Sequence, residues 1–308
     1  MGTTMYAITG ITGQVGGAVA RTLLASGADV RAVVRNATKG EAWAAQGCQV
    51  AHADMTDADD LASAFRDVSA VFLLIPPMFD PAPGFPEVRA VISAIKTGLA
   101  LARPAKVVCL STIGAQAGRP NLLDQLGLVE RELASLDLPI TFLRAAWFME
   151  NAAGDVSSAR NTGTIASFLQ PLDKAIPMVA TSDIGRVAAD LLRENWEGHR
   201  IVNLTGPRPV SPLDVAKAFA AALRQPVAAQ IVPRETWEDV FSRQGAKHPE
   251  ARAQMLDGFN EGWLTFDADG GDPIRGTIPI DTVIAELVEQ TAASPITAGV
   301  PSFHAAQS

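Results

Sequence analysis

The sequence is poor in cysteine and in clustered positive charge. Cys48 and Cys109 are the only cysteines among 308 residues, and both fall in or beside predicted buried strands. This rules out a disulfide scaffold and favours a reducing compartment, so we expect a cytoplasmic protein. The formal net charge is -8, and no window concentrates lysine and arginine. We therefore predict no binding to nucleic acid.

Long hydrophobic runs and targeting signals are missing as well. Pro76, Lys96 and Arg103 interrupt the apolar stretches before they reach the roughly 18 residues that cross a bilayer. The amino terminus enters a strand without a basic region or a cleavage site. We expect neither a membrane span nor export. The histidines have no acidic or cysteine partner at ligand spacing, so we predict no metal site.

What the sequence does contain is an alternation of short β-branched runs with helical patterns. The predicted strands are Met5–Thr9, Val30–Val34, Gln49–Ala53, Ala70–Ile75, Val107–Ser111 and Ile140–Arg144. Near-continuous apolar strands separated by helices form parallel sheets that are covered on both faces. The pattern predicts an α/β fold, a Rossmann-type doubly wound parallel sheet with a smaller C-terminal α/β lobe for substrate.

A glycine motif follows the first strand directly. It contains Gly10, Thr12, Gly13, Gln14, Val15 and Gly16, and a helical run follows from Gly17 to Ser26. The first glycine permits a tight turn, the second a close approach of pyrophosphate, and the third close packing of helix on strand. The position of the motif between strand and helix favours a dinucleotide cradle over an ordinary glycine-rich turn.

The end of the second strand indicates which dinucleotide is bound. An acidic residue there would bind a free ribose 2′-hydroxyl, but the sequence has Arg35. A guanidinium pairs well with a 2′-phosphate, which favours NADPH over NADH; the alternative is a solvated loop arginine. Asp54 and Met55 are placed to contact adenine, although Asp54 also suits a helix N-terminus. We expect the backbone at Ile75 and Pro76 to wall the adenosine half.

These motifs suggest a division of the chain. Residues 1–150 form the predicted NADP-binding domain, and 151–292 are mainly substrate lobe, beginning with a substrate loop near residue 151. Residues 183–205 return to the sheet, with Asp183 as a helix N-cap and Arg200–Leu204 as the last strand. Ser211 and Asp214 form a capping box ahead of a helix at Val215–Leu223, and a strand is predicted after it at Val227–Val232. The segment 293–308 has no periodicity and is expected to be a flexible tail.

The chain resembles the NmrA-like branch of atypical short-chain dehydrogenases, in particular the quinone reductases and the bacterial ergot-alkaloid-type reductases. The resemblance is carried by the stretches Thr9 to Gly16, Val71 to Pro77, Leu138 to Arg144, Trp147 to Asn151 and Asp183 to Gly185. It implies an NADPH-dependent reductase. The nicotinamide would lie near Ser111 and the backbone of Ala145, Trp147 and Phe148. A small aromatic or quinone-like substrate would lie between Met78, Phe79, Trp147 and Phe148.

The chain departs from the wider superfamily at the catalytic acid. The usual Tyr-x-x-x-Lys pair is absent, because Tyr6 is the only tyrosine and no lysine lies on the helix after Ser111. Reduction of a quinone, iminium or enone needs a positioned hydride but no strong acid, with Ser111 or water as the proton source. The alternative is a non-catalytic NADP(H)-sensing protein that acts through a protein partner. The sequence does not decide between them, nor whether the chain forms a homodimer.

Overall fold

The structure is a computed structural model that describes residues 4–76 and 78–293. The strands are β1 (Met5–Ile8), β2 (Asp29–Val34), β3 (Gln49–His52), β4 (Ala70–Leu73), β5 (Val107–Thr112), β6 (Ile140–Ala145), β7 (Trp147–Phe148), β8 (Thr164–Ser167), β9 (Met178–Val179), β10 (His199–Thr205), β11 (Ala228–Ile231) and β12 (Ile274–Arg275). The helices are α1 (Gln14–Ala25), α2 (Ala37–Ala44), α3 (Ala58–Ala64), α4 (Pro86–Ala102), α5 (Asp124–Leu133), α6 (Val156–Thr162), α7 (Thr181–Arg193), α8 (Pro212–Leu223), α9 (Trp237–Arg243), α10 (Glu250–Glu261) and α11 (Ile280–Ala293). Of the tail expected over 293–308, Ala293 ends α11 and the remainder lies outside the described residues.

One sheet of eight strands organises the molecule. Its order is β12-β10-β6-β5-β4-β1-β2-β3, and every pairing is parallel. The direction of winding reverses between β1 and β4. This confirms the predicted Rossmann-type doubly wound α/β fold, and it places the ligand crevice beyond the carboxyl ends of the strands at the reversal.

Both faces of the sheet are buried, which explains the continuous apolar strands. In β4, Phe72 packs into the cluster under α1 and α7, whereas Val71 and Leu73 pack into the cluster on the opposite face, under α3 and α4. All three side chains have no exposed area. Alternate residues of a strand point to opposite faces, so a strand covered on both sides reads as an unbroken hydrophobic run.

The close contact between α1 and α7 explains the Asp-Ile-Gly motif. A Cβ atom on Gly185 would lie 2.3 Å from the Cβ of Ala18, so only glycine fits there. Asp183 is 1% exposed, and its Oδ2 accepts hydrogen bonds from the amides of Thr277 (2.8 Å) and Ile278 (2.9 Å). The motif thus joins α7 to α1 on one side and to the segment after β12 on the other.

Several predicted boundaries are wrong. Asp183 is not an N-cap, because α7 begins earlier, at Thr181, and the carboxylate binds distant amides instead. Helix α1 begins at Gln14 rather than at Gly17, since Gly13 is already the N-cap. The strand at 199–205 is not the last of the sheet, because Leu204 pairs with Ile274 of β12.

The remaining elements build a smaller lobe around a second core. Trp237, Phe219 and Phe241 are fully buried in it. The predicted capping box is confirmed: Ser211 Oγ accepts from the Asp214 amide (3.2 Å) and Asp214 Oδ2 accepts from the Ser211 amide (2.9 Å). The predicted strand near 227–232 is β11, which pairs with β8. The substrate loop expected after residue 151 is instead a 3-10 helix over Met149–Asp155 followed by α6 and β8.

Candidate functional site

A cavity of about 580 Å³ opens where the winding of the sheet reverses. It collects most of the residues singled out from the sequence. Those that line it are Gly10, Thr12, Gly13, Gln14, Val15, Arg35, Asp54, Met55, Ile75, Pro76, Met78, Phe79, Ser111, Trp147 and Phe148. The structure therefore brings the glycine turn, the basic residue after β2 and the aromatic segment after β6 into one continuous space.

The glycine turn ends in a helix terminus without a side-chain cap. Gly10 has φ +61°, and the amide of Gly13 donates to its carbonyl at 3.0 Å. Gly13 is the N-cap of α1, no side chain of the described part of the chain caps the helix, and no acidic residue lies in the first turn. The leading amides of a helix have no intrahelical acceptor, and they favour a negatively charged ligand. This end of the cavity suits a phosphate or pyrophosphate group.

Gly16 acts through packing and does not line the cavity. A Cβ atom on it would lie 2.3 Å from the carbonyl oxygen of Gly10. Thr9 reinforces the turn from below: its hydroxyl oxygen accepts from the amide of Leu74 at 2.7 Å, which joins the ends of β1 and β4. The cradle therefore depends on close contact between backbone atoms at the reversal.

Arg35 and Asp54 lie at the end of the cavity beside β2 and β3. Arg35 is exposed, and Lys39 of α2 lines the cavity near it. Asp54 Oδ1 accepts from the amide (2.9 Å) and the hydroxyl (2.7 Å) of Thr56. These hydrogen bonds, with a smaller contribution from Arg35, hold the pKa of Asp54 below its usual range. Asp54 is not the helix N-cap, a position that Asp57 takes in α3; its contact with adenine stays a prediction.

Ser111 lies at the carboxyl end of β5 and is 3% exposed. Its hydroxyl donates to Oε1 of Glu130 on α5, and Glu130 in turn binds Arg144 of β6. Arg144 also donates to Asp267 Oδ2 at 2.8 Å. The Ser111 proton is thus directed to a carboxylate rather than into the cavity. Its role as a proton source stays a prediction, without support from this geometry.

The segment after β6 divides its residues between the cavity and the core. Ala145, expected at the nicotinamide, is fully buried and does not line the cavity, and its carbonyl accepts from the amide of Ile113 at 2.8 Å. Its neighbour Ala146 lines the cavity instead. Trp147 is half-buried and meets Phe259 edge-on, with ring centres 5.2 Å apart. Trp147 therefore serves both the cavity wall and the contact between the lobes.

Glu150 joins this segment to the start of α7. Its Oε1 accepts from the amide (2.8 Å) and the hydroxyl (2.7 Å) of Thr181, so the carboxyl group caps the start of α7. Oε2 is buried and has no hydrogen-bond partner within residues 4–76 and 78–293, and burial raises the pKa of Glu150. Asn151 and Thr181 also line the cavity. In the stretch from Phe148 to Asn151, the two end residues line the cavity. Met149 packs in the core of the smaller lobe, and Glu150 caps α7.

One wall was missed at the sequence level. Arg252, Met255 and Phe259 of α10 line the cavity, as do Leu123 and Leu126 at the start of α5. The sequence motifs assigned none of the three α10 residues Arg252, Met255 and Phe259 to the site. Their spacing marks one helix face, yet nothing local in the sequence says that this face meets the glycine turn.

Two further properties of the described chain bear on its class. Within residues 4–76 and 78–293, no three His, Cys, Asp or Glu side chains cluster in a way that could hold a metal ion. None of the helices described combines the length and apolar character needed to cross a membrane. A doubly wound sheet with a glycine turn and an uncapped helix at its reversal is the architecture of NAD(P)-binding Rossmann-type proteins.

The chain belongs to the NmrA-like family, whose model matches residues 3–285. It is 27% identical to the NAD(P)H azoreductase of Xenophilus azovorans over 279 residues, which is 89% of this chain and 92% of the relative. It is 29% identical to quinone oxidoreductase 2 of Escherichia coli K12 over 204 residues, 66% of this chain and 68% of the relative. The triphenylmethane reductase of Citrobacter sp. has the same fold, with a TM-score of 0.75 and 21% identity over 94% of this chain and 100% of the other.

Proposed function

We propose that the chain is an NADPH-dependent reductase that transfers hydride to a flat, quinone-like acceptor, or to an iminium or enone, without a tyrosine acid. The observation that carries the proposal is the continuous cavity at the reversal of the sheet. It has an uncapped helix N-terminus and Arg35 at one end and aromatic side chains at the other. The relatives named azoreductase and quinone oxidoreductase support the same class of reaction.

The residues present fit the coenzyme. The first-turn amides of α1 offer hydrogen-bond donors for a pyrophosphate. Gly13 has no side chain to obstruct the approach, and the space around its Cα is open, with Gly10 O 3.4 Å from where a Cβ would lie. Arg35 supplies a permanent positive charge for a 2′-phosphate. Asn151 and Thr181 offer polar side chains farther along the cavity. NADPH, when bound, supplies the hydride, and a quinone takes up one proton with it to become a hydroquinone.

The protein's contribution to the reaction is then to position the acceptor against the coenzyme. Trp147, Phe148 and Phe259 form aromatic walls against which a flat acceptor can stack. Tyr6, the one tyrosine, is buried in β1 and does not line the cavity. A quinone does not need it, because negative charge that develops on reduction is delocalised over the ring and water can deliver the proton.

The test is consumption of NADPH against a panel of quinones, an iminium and an enone. We expect turnover with at least one flat acceptor and saturation at low coenzyme concentration. A Trp147→Ala variant should raise KM for the acceptor while leaving the dissociation constant of NADPH within about twofold. Tight NADPH binding with no turnover of any acceptor would refute the reductase and favour the sensing protein.

A further inference from the structure

Three segments of the chain meet on one side of the cavity. The loop after β4 supplies Met78 and Phe79, the turn before α5 supplies Leu122, and α10 supplies Met255 and Phe259. The loop after β4 leaves the large sheet, whereas α10 packs in the smaller lobe. The shape of the cavity on this side therefore depends on how the loop is held against α10.

Met78 and Phe79 are neighbours in this loop but pack on different cores. Met78 packs against the cluster under α3 and α4, whereas Phe79 packs against the core of the smaller lobe. Both residues also line the cavity. The loop therefore crosses from the sheet to the smaller lobe where it lines the cavity.

Asp80 binds the loop to the smaller lobe directly after this crossing. Its Oδ2 accepts a hydrogen bond from the amide of Lys247 (2.8 Å) and its Oδ1 accepts one from the amide of His248 (2.6 Å), just ahead of α10. Desolvation acts to raise the pKa of Asp80, but the two amides and the charges of His248 and Lys247 outweigh it and hold the pKa below its usual range. The carboxylate is thus charged at neutral pH, and hydrogen bonds to a charged acceptor are among the stronger ones in proteins.

Gln125 holds the same loop from the other side. Its Nε2 donates to the carbonyls of Met78 and Leu122, both at 2.9 Å. The amide of Leu122 in turn donates to the carbonyl of Ala251 in α10 at 2.9 Å. With the bonds of Asp80, these contacts form a closed ring of hydrogen bonds through the loop after β4, the start of α5 and the start of α10. Within this ring, the Asp80 carboxylate joins the loop to the smaller lobe.

We propose that Asp80 is a positioning residue, which keeps Met78 and Phe79 against the smaller lobe and thereby shapes the cavity for a flat acceptor. The inference rests on the proposed reductase function for the identity of the acceptor. Asp80 does not itself line the cavity, so it acts through the two residues that precede it. The apparent affinity for a ligand falls with the fraction of molecules that are competent to bind it. Loss of the Asp80 hydrogen bonds favours the released loop and should weaken acceptor binding about tenfold.

The kinetic test uses menadione as acceptor and compares the wild-type protein with Asp80→Ala, Asp80→Asn and the control Asp137→Ala. Asp137 is exposed between α5 and β6 and does not line the cavity, so its variant makes the same change in net charge. We expect Asp80→Ala to raise KM for menadione about tenfold and to change kcat less than about twofold, because saturating acceptor restores the attached loop. Asparagine keeps one acceptor oxygen for the two amides, so Asp80→Asn should fall between alanine and wild type. Asp137→Ala should match wild type, and a fall in kcat with an unchanged KM in Asp80→Ala would overturn the positioning role.

A binding test separates this inference from the function on which it rests. The dissociation constant of menadione can be measured by quenching of tryptophan fluorescence in the presence of NADP⁺, which carries no hydride, since Trp147 lines the cavity. Hydrogen exchange followed by mass spectrometry reports release of the loop through the amides of Lys247 and His248. Faster exchange at these amides in Asp80→Ala, with menadione binding weakened about tenfold, supports the inference even if no quinone is reduced. Equal dissociation constants, equal exchange or no binding of menadione to the wild-type protein, with all variants folded by circular dichroism, would overturn it even if other quinones are reduced.

Discussion

The guanidinium of Arg144 binds both carboxylate oxygens of Glu130, with Nε 2.9 Å from Oε1 and Nη2 2.6 Å from Oε2. The pair is buried, since the side chains are 4% and 10% exposed. Glu130 Oε1 also accepts a hydrogen bond from the Ser111 hydroxyl, and Arg144 also donates a hydrogen bond to Asp267. A buried ion pair between β6 and α5 therefore lies directly behind the cavity wall at Ser111.

Breaking this pair from one side should be costly. Arg144→Met leaves the Glu130 carboxylate buried without its partner, and we expect it to lower the free energy of unfolding by about 3–5 kcal/mol. The double variant Arg144→Met with Glu130→Leu removes both charges and should recover a large part of that loss. Urea unfolding followed by circular dichroism measures both. A single variant that loses less than about 1 kcal/mol would contradict the assignment.

Gly16 should tolerate no side chain. In Gly16→Ala the added Cβ would overlap the Gly10 carbonyl oxygen at 2.3 Å, and because the obstacle is backbone it cannot rotate away. We expect a loss of about 1–3 kcal/mol in stability together with weaker NADPH binding. Gly118→Ala is the matched control, since a Cβ there meets nothing within 4 Å. Thermal unfolding and calorimetric titration with NADPH would show the difference, and equal behaviour of the two variants would rule out the packing role.

A substitution at Gly13 should weaken coenzyme binding without destabilising the fold. A Cβ at Gly13 would lie 3.4 Å from Gly10 O, an ordinary contact, so Gly13→Ala should unfold at nearly the wild-type temperature. The added methyl group would nevertheless obstruct a pyrophosphate that approaches the first-turn amides. We expect calorimetry to show a weakened affinity for both NADPH and NADH. Unchanged affinity for both would place the phosphates elsewhere.

Arg35 should decide between the two coenzymes. Charge-assisted hydrogen bonds to a 2′-phosphate contribute about 1.5–3 kcal/mol, so Arg35→Ala should weaken NADPH binding about ten- to hundredfold. NADH has no such phosphate, and its dissociation constant should stay within about threefold. Arg66→Ala, at an exposed arginine outside the cavity lining, controls for the change in net charge. Equal losses for both coenzymes would refute the contact.

Asp155 should make stability depend on pH. Burial raises its pKa to about 7, so the folded chain retains a proton that the unfolded chain releases near pH 4. The native state binds more protons in this interval, and the contribution of Asp155 to stability therefore falls as pH rises from about 4 to about 7. Asp155→Asn should raise the melting temperature relative to wild type more at pH 8 than at pH 5. An equal difference at both pH values would show that Asp155 titrates normally.

The sheet could be predicted from the sequence because its signals are local. Each long strand is an apolar run bounded by turn residues, and the glycine turn occupies the slot that its spacing requires. Strand β12 was not predicted, because its two residues, Ile274 and Arg275, are too few to show a hydrophobic periodicity. Asp183 misled for a related reason: its position resembles a helix cap, but its partners lie 94 and 95 residues away along the chain.

The residues of the candidate site likewise fall into those that the local sequence predicts and those that only the packing of the chain brings to the cavity. Gly10, Gly13 and Arg35 could be predicted because they lie just after the first two strands, where sequence neighbours are also neighbours in space. The carbonyl of Ala145 is bound by the amide of Ile113, which follows β5, and its neighbour Ala146 lines the cavity; the contact of the Ala145 backbone with the nicotinamide stays a prediction. Arg252 comes from a helix more than a hundred positions beyond β6, and only the packing of the two lobes brings it to the cavity.

The return of the chain to its first domain limits how the molecule can be divided. Helix α7, strand β10 and strand β12 all follow the first residues of the smaller lobe, yet they cover α1 and complete the sheet. A fragment that stops at residue 150 would leave β6 as an open edge and Ala18 of α1 without its neighbour Gly185 of α7. No single cut after residue 150 therefore separates a complete coenzyme-binding domain from the rest of the chain.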